Sequence, residues 1–184
     1  MEELLSTKLF IPSNRSELVS RPRMTKKLND GIGRKLTLIS APAGFGKTTL
    51  VTDWVLNLNP ASPIEHRISW LSLDKNDNDP SRFLTYLIFA LNQSAEGEIA
   101  LGKNALTMLQ TPQPSIEAVL TSLINDVSAI PDEMVFVLDD YHDIESPPVD
   151  DALTFLIEHL PSQLHLVIVT RVDPQLPLEK SNDL

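Results

Sequence analysis

Cysteine is absent from the 184-residue chain. This absence excludes disulfides, thiolate metal ligands and a cysteine nucleophile. No apolar run reaches about 18 residues, the length that suggests a membrane-spanning helix, and the acidic start at Glu2 and Glu3 is atypical of a secretory signal. Hydrophobic residues still make up 42% of the chain, enough for one buried core. We therefore expect a single cytoplasmic domain that has no membrane partner.

Basic residues are also scarce, with 15 against 25 acidic ones and a formal net charge of −10. Between Phe83 and Thr170, Lys103 is the only cation among 13 acidic residues, whereas residues 1–50 hold nine basic and four acidic ones. Binding to a nucleic-acid backbone needs clustered Lys and Arg, so no direct DNA contact is expected. The lack of Arg between Phe83 and Thr170 also disfavours a small-molecule kinase, which needs lid arginines to clamp the phosphoryl group.

Short apolar segments alternate with amphipathic ones along the chain. Strands are predicted at Lys35–Ser40, Ile68–Leu73, Met134–Leu138 and Leu164–Val169. Helical periodicity is predicted from Gly46 to about Leu58 and over residues 83–91, 98–109, 116–127 and 149–160. This alternation predicts an α/β three-layer sandwich with a mostly parallel sheet, in which residues 1–34 form a lead-in and residues 35–184 the core. Ligands of such sheets bind at the carboxyl ends of the strands.

The first predicted strand runs directly into a phosphate-binding loop pattern, with Ala41 in place of the usual first glycine. Two glycines let the backbone turn tightly and direct its N–H groups inward, and the next helix adds its positive end. Lys47 is expected to bind the β- and γ-phosphates and to serve catalysis, Thr48 to ligate Mg²⁺, and Thr49 to reach the α-phosphate. The predicted nucleotide-binding residues of this loop are Ala43, Gly44, Phe45, Gly46, Lys47, Thr48 and Thr49.

The third predicted strand ends in two adjacent carboxylates, Asp139 and Asp140. An apolar strand with this ending is typical of the Walker B element, so we predict that Asp139 holds Mg²⁺ and that Asp140 orients the attacking water. A solvated acidic pair is the alternative interpretation, and the upstream phosphate loop favours the catalytic one. The fourth strand ends at Arg171, which we predict to sense the γ-phosphate unless it pairs with Asp173 at the surface.

Two further features have simpler interpretations. Residues 74–79 resemble the start of a calcium loop, but Asp79 and Thr85 occupy positions that require Gly and Glu. We predict instead a polar loop in which Asp79 caps the following helix. Trp54 and Trp70 lie in apolar periodic segments and are predicted to be core residues.

Seven segments together carry a family resemblance that covers nearly the whole chain in order. They are Ser6–Leu9, Val19–Arg23, Leu36–Leu50, Trp70–Asp74, Asn78–Phe83, Leu138–His142 and Thr170–Pro174. These segments resemble the large ATP-dependent LuxR-family transcription regulators of the maltose-activator type, which belong to the STAND class of signalling NTPases. The resemblance implies an ASCE-like P-loop NTPase fold, ATP and Mg²⁺ as cofactors, ATP or ADP as ligands, and self-association of the full-length protein. It also implies that Val19 and Arg21 contact the base or ribose.

The chain departs from the family after Leu176-Pro177-Leu178, where an arginine-rich stretch and a fifth strand usually follow. We therefore expect a core without its last strand and with an open sheet edge. Two functions remain open at this point. One is a slow, weakly ATP-hydrolysing switch module of a transcription regulator, and the alternative is a nucleotide-binding interaction module without turnover.

Overall fold

The computed structural model describes residues 4–13, 21–61, 65–94, 101–174 and 176. Four strands in these ranges form one parallel sheet in the order β1-β4-β3-β2. The strands are β1 (Leu36–Ser40), β2 (His66–Ser72), β3 (Glu133–Asp139) and β4 (Leu164–Thr170). The α-helices are α1 (Pro22–Gly31), α2 (Lys47–Ala61), α3 (Pro80–Ser94), α4 (Lys103–Leu109), α5 (Ile116–Ser128) and α6 (Pro147–Glu158). Three 3₁₀ helices complete the description: η1 (Ser6–Leu9), η2 (Lys75–Asn78) and η3 (Tyr141–Asp143).

Helices cover both faces of the sheet, and the alternation of side chains along each strand assigns them to two cores. In β3, Phe136 and Leu138 belong to the larger core, whereas Val135 and Val137 belong to the smaller one. The larger core is completed mainly by α3, α5 and α6, and the smaller one by α1 and α2. Period-two burial on both faces is what a parallel sheet between two helical layers requires. The predicted three-layer fold is therefore confirmed.

Most predicted elements lie within one or two residues of their observed bounds. The strand β2 begins at His66 rather than Ile68, because His66 and Arg67 pair in register with Glu133 and Met134 despite their polarity. The helix predicted over residues 98–109 begins at Lys103, after Gly102 with φ 76°, and residues 98–100 lie outside the described ranges. The helix α6 begins two residues earlier than its apolar stripe, with prolines in its first turn.

The predicted burial of two tryptophans and the predicted cap of α3 are confirmed. Trp54 and Trp70 are each only 1% exposed, on the core face between the sheet and α1 and α2. Asp79 accepts a hydrogen bond from the backbone N–H of Arg82 at 2.8 Å, which caps α3 as predicted.

The sheet edge at β1 pairs only with β4 among the described strands. None of the helices in the described ranges has both the length and the apolar character needed to cross a membrane.

Candidate functional site

Three loops meet at the carboxyl end of the sheet, and they carry most of the predicted site residues. The loop after β1 leads into α2, the loop after β3 begins with Asp140, and Arg171 follows β4. Because β4 lies between β1 and β3, the three loops emerge side by side. A hydrogen bond of 3.3 Å from the N–H of Ala41 to the carbonyl of Thr170 joins the first and the last of them. The sheet order thus places the loop after β1 one strand away from the acidic end of β3, on the same edge.

The loop between β1 and α2 has the backbone conformation of an anion-binding turn. Gly44 and Gly46 adopt φ values of 82° and 68°, which residues with a Cβ atom rarely reach. Within the described residues, no backbone carbonyl accepts from the N–H groups of Gly46, Lys47 and Thr48. These groups lie at the N-terminus of the 15-residue helix α2, whose dipole favours negative charge. The loop therefore retains donors suited to a phosphate.

Lys47 lies over the same loop. Its Nζ donates to the carbonyls of Ala41 at 2.6 Å and Pro42 at 3.1 Å. A phosphate oxygen would be a stronger acceptor than either neutral carbonyl, because the hydrogen bond would then join two charged groups. The ammonium group is thus already within the loop where a phosphate would bind.

Thr48 and Asp139 join the loop to the third strand. The Thr48 hydroxyl donates to Asp139 Oδ1 at 3.1 Å, and the same oxygen accepts from the N–H of Asp140 at 3.0 Å. Asp139 is 2% exposed, and this burial, reinforced by the neighbouring charge of Asp140, raises the pKa of its carboxyl to about 6. A bound divalent cation would favour its ionised form. A hydroxyl and a carboxylate are hard oxygen donors, so this pair fits Mg²⁺.

Asp140 begins the loop after β3 in an unusual backbone conformation. Its φ of 57° and ψ of 36° lie in the left-handed region, where it caps η3. Its side chain is 46% exposed, with His142 Nδ1 3.7 Å from its Oδ1 atom. The next residue, Tyr141, is buried and donates to Asp150 Oδ1 at 2.5 Å, and burial together with that carboxylate raises the pKa of Tyr141 well above its ordinary value. The backbone thus presents Asp140 at the surface between anchored neighbours.

The remaining predicted residues are distributed around this centre. Ala43, Phe45, Thr49 and Arg171 are exposed, and Phe45 has 59% of its surface accessible. Arg21 precedes α1, and its Nη1 donates to the carbonyl of Phe45 at 2.7 Å, so this side chain contacts the phosphate loop itself. The predicted base-side residue Val19 lies outside the described residues.

One contact to this region had no predicted role. Asn78, at the end of η2, hydrogen-bonds to the backbone of the loop after β3. Its only signal in the sequence was its place in a segment that resembles the regulator family. Neither periodicity nor spacing indicated a partner 65 residues away.

Comparison with known proteins identifies a curated relative over most of the chain, while no family model matches. The HTH-type transcriptional regulator MalT of Cronobacter sakazakii (strain ATCC BAA-894) is 36% identical over 174 residues. The match covers 94% of this chain and 18% of that protein. The chain therefore spans less than a fifth of the length of the curated relative.

Solved structures share the fold at much lower identity. The Orc1 protein of Aeropyrum pernix, solved in complex with DNA, matches with a TM-score of 0.57 and 14% identity, covering 88% of this chain and 41% of that one. Drosophila ORC bound to AT-rich DNA and Cdc6 matches with a TM-score of 0.50 and 8% identity, covering 82% and 45%. These similarities support the fold alone. The resemblance predicted from the sequence is confirmed by the similarity to MalT, which extends over nearly the whole of this chain.

Proposed function

We propose that this chain binds ATP with Mg²⁺ and hydrolyses it slowly, as the nucleotide-controlled switch module of a transcription regulator. The observation that carries the proposal is the 3.1 Å contact between Thr48 and Asp139. It brings the phosphate loop and the acidic strand end into one site, although the two residues are 91 positions apart. A glycine-rich turn without function would not need a buried carboxylate beside it.

The phosphates would lie against the backbone N–H groups of residues 43–49, with Lys47 as the nearest cation. The exposed side chain of Arg171 follows β4 at the same end of the sheet and would sense the γ-phosphate. Arg21 and Val19 are proposed to lie on the base and ribose side. For Arg21 this is supported by its hydrogen bond to Phe45, which keeps it beside the loop.

Thr48 and Asp139 would hold Mg²⁺, which when bound neutralises charge on the β- and γ-phosphate oxygens. Asp140 would orient the attacking water and accept its proton. Its partly exposed carboxylate and its position directly after Asp139 support this role. Lys47 would stabilise the negative charge that develops on the transferred group.

The regulatory part of the proposal rests on the relationship to MalT. Nucleotide binding would control self-association in a longer cytoplasmic protein, with residues 1–34 as a nucleotide-side lead-in and residues 35–184 as the ATPase core. We propose no direct DNA contact by this segment, because its net charge of −10 opposes binding to a polyanion.

Calorimetric titration with ATP, ADP and GTP, with and without Mg²⁺, tests the binding site. Lys47→Ala should weaken ATP binding about 100-fold, because it removes charge-assisted hydrogen bonds to the phosphates. Lys103→Ala is the matched control, since Lys103 is exposed at the start of α4 and should leave affinity unchanged. Equal affinities in the wild type, Lys47→Ala and Asp139→Ala would overturn the proposed site.

A turnover assay separates the switch from a module that binds nucleotide without hydrolysis. Asp140→Ala should keep ATP binding and lower the hydrolysis rate by about 100-fold, as expected for loss of a general base. Background rates in both the wild type and Asp140→Ala, with ATP affinity intact, would favour the passive binding module.

A further inference from the structure

The loop that carries Asp140 depends on a side chain from a different loop. Strands β2 and β3 are neighbours, with Ser72 in register with Asp139, and the N–H of Leu73 donates to the carbonyl of Asp139 at 2.9 Å. The chain segments that follow the two strands therefore leave the sheet together. The first forms η2, and the second forms η3.

Asn78 spans these two segments with both ends of its amide. Its Nδ2 donates to the carbonyl of Asp143 at 3.0 Å, and its Oδ1 accepts from the N–H of Glu145 at 2.6 Å. The side chain thus pairs with backbone groups on either side of Ile144, as a strand residue would. A single amide satisfies one donor and one acceptor of the loop and fixes the loop in one position.

Asn78 is itself held by a closed 3₁₀ turn. Asp74 and Asp77 form a reciprocal capping box around η2, and Asn78 Nδ2 also donates to the carbonyl of Lys75 at 3.0 Å. Asp77 is completely buried and pairs with Lys8, which is 6% exposed. Because η2 is anchored from inside the protein, Asn78 can act as a rigid support rather than follow the loop.

The loop on the other side needs such a support. Asp140 occupies the left-handed region, which aspartate tolerates better than most residues but which still costs more than the right-handed region. Behind it, η3 is closed by hydrogen bonds from Asp143 and Ile144 to the carbonyls of Asp140 and Tyr141, each at 3.0 Å. If the end of η3 were released, the turn could unwind and the Asp140 backbone could relax.

We propose that Asn78 is a positioning residue that holds residues 140–145 in place and thereby sets the orientation of the Asp140 carboxylate. The inference deepens the proposed function and rests on it for the role of Asp140. It assigns Asn78 no contact with nucleotide or metal. Its effect is on the rate of hydrolysis rather than on affinity.

Hydrogen–deuterium exchange of the nucleotide-free chain tests the positioning directly. In Asn78→Ala, exchange across residues 140–146 should quicken about tenfold or more, as expected when a hydrogen bond of Glu145 is lost. Asn78→Asp keeps an acceptor for Glu145 but sets a carboxylate oxygen against the carbonyls of Lys75 and Asp143, so it should not restore the exchange rate of the wild type. Gln163→Ala is the matched control, because that side-chain amide also bridges two backbone carbonyls, of Val127 and Ile130, but does so at the opposite end of the sheet. Unchanged exchange of residues 140–146 in Asn78→Ala would overturn the proposal.

Kinetics then test whether the support acts through Asp140. Asn78→Ala should lower kcat about tenfold or more while the Kd for ATP stays within about twofold, and Gln163→Ala should change neither. In an Asp140→Ala background, Asn78→Ala should slow turnover no further, because the group that it positions is gone. An equal loss in both backgrounds would overturn the action through Asp140. A wild-type chain that hydrolyses nothing would overturn the proposed hydrolysis instead, and the exchange experiment would still decide whether Asn78 holds the loop.

Discussion

The two ends of the parallel sheet are built differently. At the amino end, polar side chains bind the protein's own backbone: Gln163 Nε2 donates to the carbonyls of Val127 and Ile130, each at 3.1 Å, and His165 Nδ1 lies 2.6 Å from the carbonyl of Arg34. These contacts join the start of β4 to the segments that precede β3 and β1.

At the carboxyl end, the same types of group are held in less stable arrangements. Asp140 is the only residue other than glycine with a positive φ among the described residues, and the buried carboxyl of Asp139 has a raised pKa. Such strain and desolvation are held in place by the surrounding structure and cluster at functional sites. The comparison indicates that the carboxyl end, and not the amino end, is arranged for binding.

One pair of substitutions, with one member at each end of the sheet, should give the largest difference in the free energy of unfolding. Asp77→Ala, at the carboxyl end, removes the buried partner of Lys8, which keeps only the 44%-exposed carboxylate of Asp74 at 3.2 Å, and should lower the free energy of unfolding by about 3 kcal/mol. Asp132→Ala, at the amino end, removes the partner of Arg67 from a pair that is 24% and 42% exposed, and should cost about 1 kcal/mol or less. Urea unfolding near neutral pH measures both. Equal losses would show that the anchor beneath η2 is no stronger than a surface ion pair.

Asp139→Asn should raise the free energy of unfolding rather than lower it. Its carboxyl has a pKa of about 6 in the fold against 3.8 ordinarily, so the native protein binds more protons than the unfolded chain between these values. Stability contributed by this group therefore falls as the pH rises from 3.8 to 6. The amide keeps the acceptor for Thr48 and removes the charge, so the nucleotide-free variant should be more stable by about 1–3 kcal/mol near neutral pH.

Unfolding of Asp139→Asn at several pH values checks this prediction. Its advantage over the wild type should shrink below pH 6 and vanish near 3.8. The variant should also lose Mg²⁺-dependent ATP binding. A variant that is less stable than the wild type throughout would show that the carboxylate has a structural role rather than a binding one.

A smaller difference in stability is expected between alanine substitutions at two glycines that differ in backbone conformation. Gly46→Ala places a Cβ atom at φ 68° and 3.2 Å from Arg21 Nη2, which should cost about 1–2 kcal/mol and distort the phosphate loop. Gly33→Ala, before β1 at the amino end, meets no atom within 4 Å and should change stability by less than about 0.5 kcal/mol. Thermal unfolding and ATP titration of both variants measure the difference. Intact ATP affinity in Gly46→Ala would contradict the assignment of this turn as the phosphate cradle.

The sequence predicts those parts of the site whose residues follow one another in a single segment of the chain. The phosphate loop follows a fixed spacing because its turn needs glycine, and the acidic strand end is visible because five apolar residues precede Asp139. Their meeting follows from the convergence of parallel strands at one edge. The start of β2 was misplaced because Arg67 interrupts the apolar run, although its backbone pairs normally.

Long-range polar contacts could not be predicted in this way. Asn78 reaches Asp143 across 65 positions, and Lys8 reaches Asp77 across 69. A side-chain amide or an ion pair leaves no periodic trace, and its partner depends on how two loops fold against each other. The supports of the site were therefore missed even where its central residues were predicted.

The smallest expected effect concerns pH at the amino end. Burial lowers the pKa of His165 below 6.5, aided by the nearby His66 and opposed by the hydrogen bond to Arg34. As the pH falls, the unfolded chain therefore takes up a proton at His165 before the native protein does. The stability of the fold is lost as the pH falls through 6.5, and above that pH this residue has no effect on it.

Glutamine at position 165 can still donate to Arg34 and does not titrate. Relative to the wild type, His165→Gln should gain stability as the pH falls below 6.5, whereas Asp139→Asn should lose its advantage over the same range. Parallel unfolding series of the two variants would thus give opposite pH slopes from the two ends of the sheet, and slopes of the same sign would show that the ends do not differ in this respect.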